Sequence, residues 1–307
     1  MNATRVHGMT EVRGNPERRW SPTVRRQRLA GVLAGLRARD GRSAAEIADA
    51  LGVHKSTVTR LEDVRHLALP KINVIDRLLA IYGADDETRN RVRVLVSEAR
   101  QRDWWQAYKQ YLPPASATYL GLEAETAVQL LWQPTLLPGI IQTRAYGQAI
   151  LAEQLPALPD DQIAAFAAER YEAEQHLVHG PDPVHLRIVL GEAALHNEVG
   201  DPQVMAEQLD YLHQIVQLPH VTFFLAPFAR GTHGGLAPFT VLRFPEPTDP
   251  ELAYLPDPLG GRLVRDRRDV DQLVRVFQEL TLLQPDRDLN LRLISEAAER
   301  FRGKAKG

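Results

Sequence analysis

The stretch AAEIADALGVHKSTVTRLE, Ala44 to Glu62, leaves few folds open to this chain. Ile47, Leu51, Val53, Val58 and Leu61 recur at helical spacing on either side of Gly52. Ala48 is small where two helices cross closely. Gly52 stands where the turn between them favours a positive φ, which only glycine adopts without penalty. The pattern predicts a helix, a tight turn and a second helix. His54 opens the second helix, and Lys55, Ser56, Thr59 and Arg60 share its outer face by periodicity.

The flanking sequence extends this pair into an all-α unit. A helix is predicted from Thr23 to Arg39, with Leu29, Val32, Leu33 and Leu36 inward and Asp40-Gly41 ending it. Ser43 is an N-cap for the next helix, and Glu46 completes a capping box. Further on, a helix around Ile72, Ile75, Leu78, Leu79 and Tyr82 is stopped by Gly83. Asp85 caps a fifth, with Val92, Leu95, Val96 and Ala99 on its apolar face. The expectation is a five-helix head over residues 23–103, preceded by a flexible arm over 1–22 in which Arg18, Arg19 and Trp20 stand ready for a phosphate or minor groove. Trp104, Trp105, Tyr108 and Tyr111 lead to Pro113-Pro114, and residues 104–118 read as a linker. Its aromatic residues suit packing better than a nucleic-acid stacking platform, because no basic residues are interleaved.

The remainder, residues 119–299, reads as an α+β domain with a mainly antiparallel sheet. Amphipathic helices are predicted at Thr143–Gln154, Asp160–His179, Pro202–Leu218 and Asp266–Leu283. Strands are predicted at Val184–Leu190, Val221–Ala226, Phe239–Phe244, Glu251–Leu255 and Arg262–Val264, the last three divided by Pro/Gly-rich turns. Residues 300–307 read as a frayed basic tail.

Composition narrows the chemistry. There is no cysteine, which excludes disulfides, thiolate nucleophiles and cysteine-held zinc and fits a reducing cytoplasm. No run of about 18 apolar residues is present to span a membrane, and the Arg-rich N-terminus lacks the apolar segment of a secretory signal. The first hundred residues hold 19 basic and 12 acidic side chains, although the chain as a whole carries −2. A basic head on an acidic body points to a polyanion met by the head alone. Neither Gly-x-Ser-x-Gly nor a phosphate-binding Gly-rich loop occurs, so no enzyme activity and no cofactor are expected. His176 and His179, with Glu169 and Glu172, form a solvated helix end in preference to a metal site. Glu192, His196 and His233 lie where two strands end, and they are the candidates for a ligand or partner pocket.

On the head, the expectation is double-stranded DNA. A second helix of this kind enters the major groove N-terminus first, with His54, Lys55, Ser56, Thr59 and Arg60 toward base edges. Arg60 suits guanine O6 and N7 in a bidentate contact. The helix N-terminus at Ser43 and Ala44 suits a phosphate. Arg25, Arg26, Arg28, Arg37 and Arg42 are candidate phosphate contacts. The motif usually works as a two-fold dimer, so a homodimer is expected.

The head, through Leu36–Glu62 and Leu78–Gly83, resembles the lambda-repressor-like, Cro-type helix-turn-helix regulators of the xenobiotic-response-element family. The rest resembles antitoxin-like transcriptional regulators typical of actinobacteria. The carriers are Trp104-Trp105, LLPGIIQT from Leu136 to Thr143, GEAAL from Gly191 to Leu195, EQLDYL from Glu207 to Leu212, and Phe224–Phe244. The resemblance implies a DNA-binding transcriptional regulator whose body dimerises, senses an effector or binds a small protein partner. An alternative it leaves open is an antitoxin-like module that neutralises such a partner and autoregulates its operon.

Overall fold

All five helices expected in the head form, and the first, second and fifth start on side-chain caps that the sequence provides. The computed structural model describes residues 21–64, 71–231, 235, 237–282 and 287–306. Helix α1 (Pro22–Asp40) starts on Ser21, whose hydroxyl accepts from the Thr23 and Val24 N–H groups, and ends at Gly41 with φ 82°. Helix α2 (Ala44–Leu51) carries the complete Ser43/Glu46 capping box, and Gly52 at φ 66° turns the chain into α3 (Lys55–Glu62). Helices α4 (Ile72–Ile81) and α5 (Asp86–Ala99) follow, the latter capped by Asp85. Leu33, Ile47, Leu51, Val58, Ile75, Leu79 and Val92 close one core between them. Arg18, Arg19 and Trp20 lie outside the described residues.

Residues 104–118 are not a linker. Trp104–Tyr108 makes a 3₁₀ turn and α6 (Pro114–Glu123) begins at once. Both pack on α7 (Arg144–Gln154) and α8 (Asp160–His179), with Tyr108 stacked on Phe166 at 4.5 Å between ring centres and Trp105 buried. The aromatic residues are a core, and burying them is worth more than any exposed connection.

The body holds a six-stranded, mostly antiparallel sheet in the order β3-β2-β1-β4-β5-β6. Its strands are β1 (Val128–Gln133), β2 (His185–Gly191), β3 (Val221–Ala226), β4 (Phe239–Arg243), β5 (Leu252–Leu255) and β6 (Arg262–Val264). Strands β1, β2 and β3 run parallel; β4 pairs antiparallel with β1, β5 antiparallel with β4, and β6 antiparallel with β5. The expected strands form within a residue or so. The central one, β1, was not expected: it is buried on both faces, so VQLLWQ reads as an apolar run without alternation. Leu131 faces α9 (Pro202–Ile215) and α11 (Arg287–Ala305), whereas Leu130 and Trp132 face α10 (Arg267–Leu280). The frayed tail expected at 300–307 is a correction: α11 runs to Ala305, Phe301 is buried, Arg302 pairs with Asp210, and Lys304 meets Glu198 at 3.0 Å.

The family-like motifs of the body interlock. Gln208, fully buried, accepts from the Thr143 N–H at 2.6 Å and donates to the Ile141 carbonyl at 2.9 Å. Gln142 donates to the Leu137 carbonyl at 2.8 Å. The Glu207–Leu212 motif thus fixes the Leu136–Thr143 loop. Inside that loop, a Cβ at Gly139 would overlap the Arg170 guanidinium. Arg170 donates to Glu174 at 2.8 Å, and the Tyr119 hydroxyl donates to Glu123 at 2.6 Å. Two buried carboxyls share this one guanidinium. Burial pushes the Glu174 carboxyl up to about 8, with Arg170 lowering it and Glu123 raising it.

Head and body meet along the first half of α1. The Ser21 N–H donates to Glu125 at 3.1 Å and its hydroxyl to the Gly121 carbonyl. A Cβ at Gly121 would overlap Thr23, whose hydroxyl donates to Asp103 at 2.9 Å. Arg25 pairs with Glu98 at 2.8 Å and Glu125 at 3.0 Å. Arg28 pairs with Glu125 at 2.8 Å and, through Nε, with Asp249 at 2.8 Å. Arg26 donates to the Ala99 carbonyl at 2.9 Å. The expectation that Arg25, Arg26 and Arg28 contact phosphates is corrected: they are turned into the seam, where carboxylates and a helix-end carbonyl hold them.

Two outcomes are expected. Because the folded Glu174 carboxyl holds its proton above its ordinary value of 4.5, its contribution to stability is complete below that pH and is lost as pH rises through about 8. Relative to the parent, Glu174→Gln therefore gains stability as pH rises across that window. Urea titrations over the range check this, and a pH-independent difference removes the buried proton. Gly139→Ala, which must displace Arg170, should cost about 1–3 kcal/mol in the same assay.

Candidate nucleic-acid interface

Helix α3 sits on the head core by Val58 and Leu61 alone, both buried. His54, Lys55, Ser56, Thr59 and Arg60 are all exposed, so the five side chains expected at base edges share one solvent-facing surface. Thr59 Oγ1 reaches the Lys55 and Ser56 carbonyls at 3.3 Å, a contact within its own turn. His54 makes no side-chain cap hydrogen bond, so the first N–H groups of α3 are left without a side-chain acceptor on the outer end. The surface offers an ammonium, a guanidinium and two hydroxyls on a helix end of positive polarity.

What aims this helix is a cluster beneath its last turn. Arg37 Nε lies 2.7 Å and 2.9 Å from the two Glu62 carboxylate oxygens, and the Tyr82 hydroxyl donates to Glu62 at 3.2 Å. Glu62 is thereby tied to α1 and to the end of α4. Burial and the neighbouring carboxylate push the Tyr82 phenol well above its ordinary value, so it remains a donor. Arg37 is held by this clamp. Arg42 forms a two-toothed pair with Asp40 at 2.6 Å and 2.7 Å and donates to the Ile81 carbonyl at 2.9 Å. Ser43 accepts from the Glu46 N–H at 3.3 Å, and its own N–H donates to Glu46 at 2.7 Å. These three expected phosphate contacts all hold the frame of the motif. Glu62, Tyr82 and Arg77, which caps the Leu51 carbonyl, were not singled out from the sequence. Only the Arg-Leu-Glu ending of the motif hinted at Glu62.

In the body, Glu192 and His196 do come together. Glu192 accepts from the Phe228 N–H at 2.7 Å, His196 Nε2 lies 3.6 Å from Glu192, and the imidazole stacks on Phe228 at 5.9 Å. Arg300 contacts His196 Nδ1 at 3.0 Å. Together they tie the ends of β2 and β3 to α11. His233, the third member expected here, lies outside the described residues. His179 meets the Tyr211 hydroxyl at 3.3 Å. Among the described residues no group of three or more His, Asp or Glu is placed to hold a metal. No described helix is long and apolar enough to cross a membrane.

A capped helix, a left-handed glycine and a second helix with a polar outer face define a helix-turn-helix protein. Residues 28–92 match a family described as a helix-turn-helix domain, which makes the chain a DNA-binding regulator in general terms. Residues 116–287 match the domain of unknown function DUF5753, and the protein belongs to that family. No curated protein and no solved structure matches the chain.

The clamp gives a direct test. Arg37→Ala leaves the Glu62 carboxylate in a low-exposure site with Tyr82 alone and should lower stability by about 1–3 kcal/mol. Lys55→Ala, on the open face, should stay within about 0.5 kcal/mol of the parent. Denaturant titration of both variants separates them; equal small effects would mean that the clamp does not hold the helix.

Proposed function

We propose that this protein is a transcriptional regulator that reads a specific duplex sequence by placing α3 in the major groove. The observation that carries the reading is the outer face of α3, where His54, Lys55, Ser56, Thr59 and Arg60 are exposed while Val58 and Leu61 anchor the helix. Arg60 addresses guanine and is the main source of discrimination, Lys55 takes guanine or phosphate, and Ser56 and Thr59 adjust the fit. Arg37, Arg42 and Ser43 keep the helix pair in register, so their part is positioning. Two copies act on a two-fold site with half-sites about 34 Å apart, as the motif commonly does. The body supplies the dimer contact or takes up an effector or partner, a binding task and not a catalytic one. Such work belongs in the cytoplasm.

The test is selection of bound fragments from random duplex DNA by the purified full-length chain, with Arg60→Ala alongside. The parent should enrich a two-fold sequence. Arg60→Ala should lose about 1–3 kcal/mol of preference at one base pair of each half-site while staying folded. Affinity should fall steeply with salt, and Lys55→Ala should weaken binding and reduce that slope. A folded parent that enriches nothing rejects sequence reading. An unchanged motif in Arg60→Ala removes Arg60 from the reading set.

A further inference from the structure

The seam between head and body encloses a cavity of about 370 Å³. Its apolar wall is built from both sides: Val24 and Val32 of α1 and Val64 beyond α3, against Phe244 and Pro250 of the segment joining β4 to β5. The charged groups that face it are Arg28, Arg91, Arg265 and Asp249. Arg28 is neutralised by Asp249 and Glu125. Arg265 lies 2.9 Å from the end of the Gln27 amide. Arg91 is exposed, and among the described residues no hydrogen bond or ion pair engages it. The volume lies within the usual range for small-molecule sites, which combine apolar walls with a few polar groups.

We infer that this cavity binds a small amphipathic anion, an apolar ring or chain bearing one carboxylate or sulfonate. The apolar wall takes the body of the molecule, and Arg91 takes its charge in a charge-assisted hydrogen bond. Free phosphate has no use for such a wall. Because α1, α5 and the residue two beyond α3 contribute to one side and the body to the other, the full site exists only when head and body are docked. A bound molecule therefore favours the docked arrangement by mass action. The consequence for DNA reading rests on the function proposed above; the site does not.

The probe is anilinonaphthalene sulfonate, an aromatic body with a single negative charge, compared with uncharged phenylnaphthylamine, both titrated into the full-length protein without DNA. The parent should bind the sulfonate saturably at one site and about tenfold more tightly than the uncharged probe. Arg91→Gln should remove that preference, and Arg91→Lys should keep most of it. Gly31 also lines the cavity, and a Cβ there meets nothing within 4 Å. Gly31→Leu therefore puts a side chain into the space, favours the helix, and should abolish binding with a native circular dichroism spectrum and a melting temperature no lower than the parent's. Equal sulfonate binding by the parent, Gly31→Leu and Arg91→Gln would overturn the site, as would no saturable binding by the folded parent. Hydrogen exchange tests the coupling: the probe should slow exchange in α1 and α3 of the parent and leave Gly31→Leu unchanged. Intact binding without added protection would overturn the coupling. A failed DNA selection would leave the site itself standing.

Discussion

The Glu125 carboxylate, set between Arg25 and Arg28, is the interaction on which the architecture depends. It lies just past the end of α6 in the body and holds two guanidinium groups from α1 of the head. Arg28 reaches on to Asp249 and Arg25 to Glu98, so one side chain ties the body, the seam and α5 together. Two cations and the Ser21 N–H surround its charge, although burial still outweighs them and pushes the carboxyl up to about 7. Removal of either arginine would leave a buried carboxylate short of a partner, and the head would lose its defined orientation before it lost its own core. Val24 strengthens the same seam by packing with Leu122, Leu242 and Leu252, all from the body.

This dual use of α1 changes how the two units relate. The C-terminal half of the helix, through Leu29, Leu33 and Leu36, belongs to the core of the head. The N-terminal half belongs to the body. One helix of 19 residues thus runs from the seam to Arg37, and Arg37 holds Glu62 at the end of α3. The path from the body to the exposed face of α3 runs along this one helix, with ion pairs at the seam and at Arg37–Glu62. That is the physical setting in which an occupant of the seam cavity would be felt at α3.

The motifs that carry the family likeness in the body serve mainly to hold one another. Gly139 leaves room for Arg170, Gln208 satisfies two backbone groups of the Leu136–Thr143 loop, and Gly191 lets its strand pass close to the Pro134 backbone. Glu192 and His196 bind neighbouring backbone and side chains. Buried polar groups of this kind must be satisfied or they cost stability. The long-range partners in this packing were not visible in the sequence, where only Glu192 and His196 of these residues stood as candidates for a pocket, with a role in fixing loop geometry as the other reading of Glu192.

The sequence by itself determined the head: the capping box at Ser43, the left-handed Gly52, the anchors Val58 and Leu61, and the exposed positions of Lys55, Ser56, Thr59 and Arg60. These follow from contacts within a few residues, and helical periodicity is a local property. It also determined the amphipathic helices and the strands whose residues alternate or end in turns. Tertiary structure alone decided the rest. Strand β1 was hidden because both its faces are buried, the aromatic run at 104–111 became a core only when α8 came against it, and the last turns of α11 are held by Asp210 and Glu198 from distant parts of the chain. The largest difference is in the arginines of α1. In sequence Arg25, Arg26, Arg28 and Arg37 look ready for a phosphate, since charge is legible there and its partners are not. Glu125 and Asp249 lie about a hundred and about two hundred residues further on, and only folding brings them within reach of Arg28.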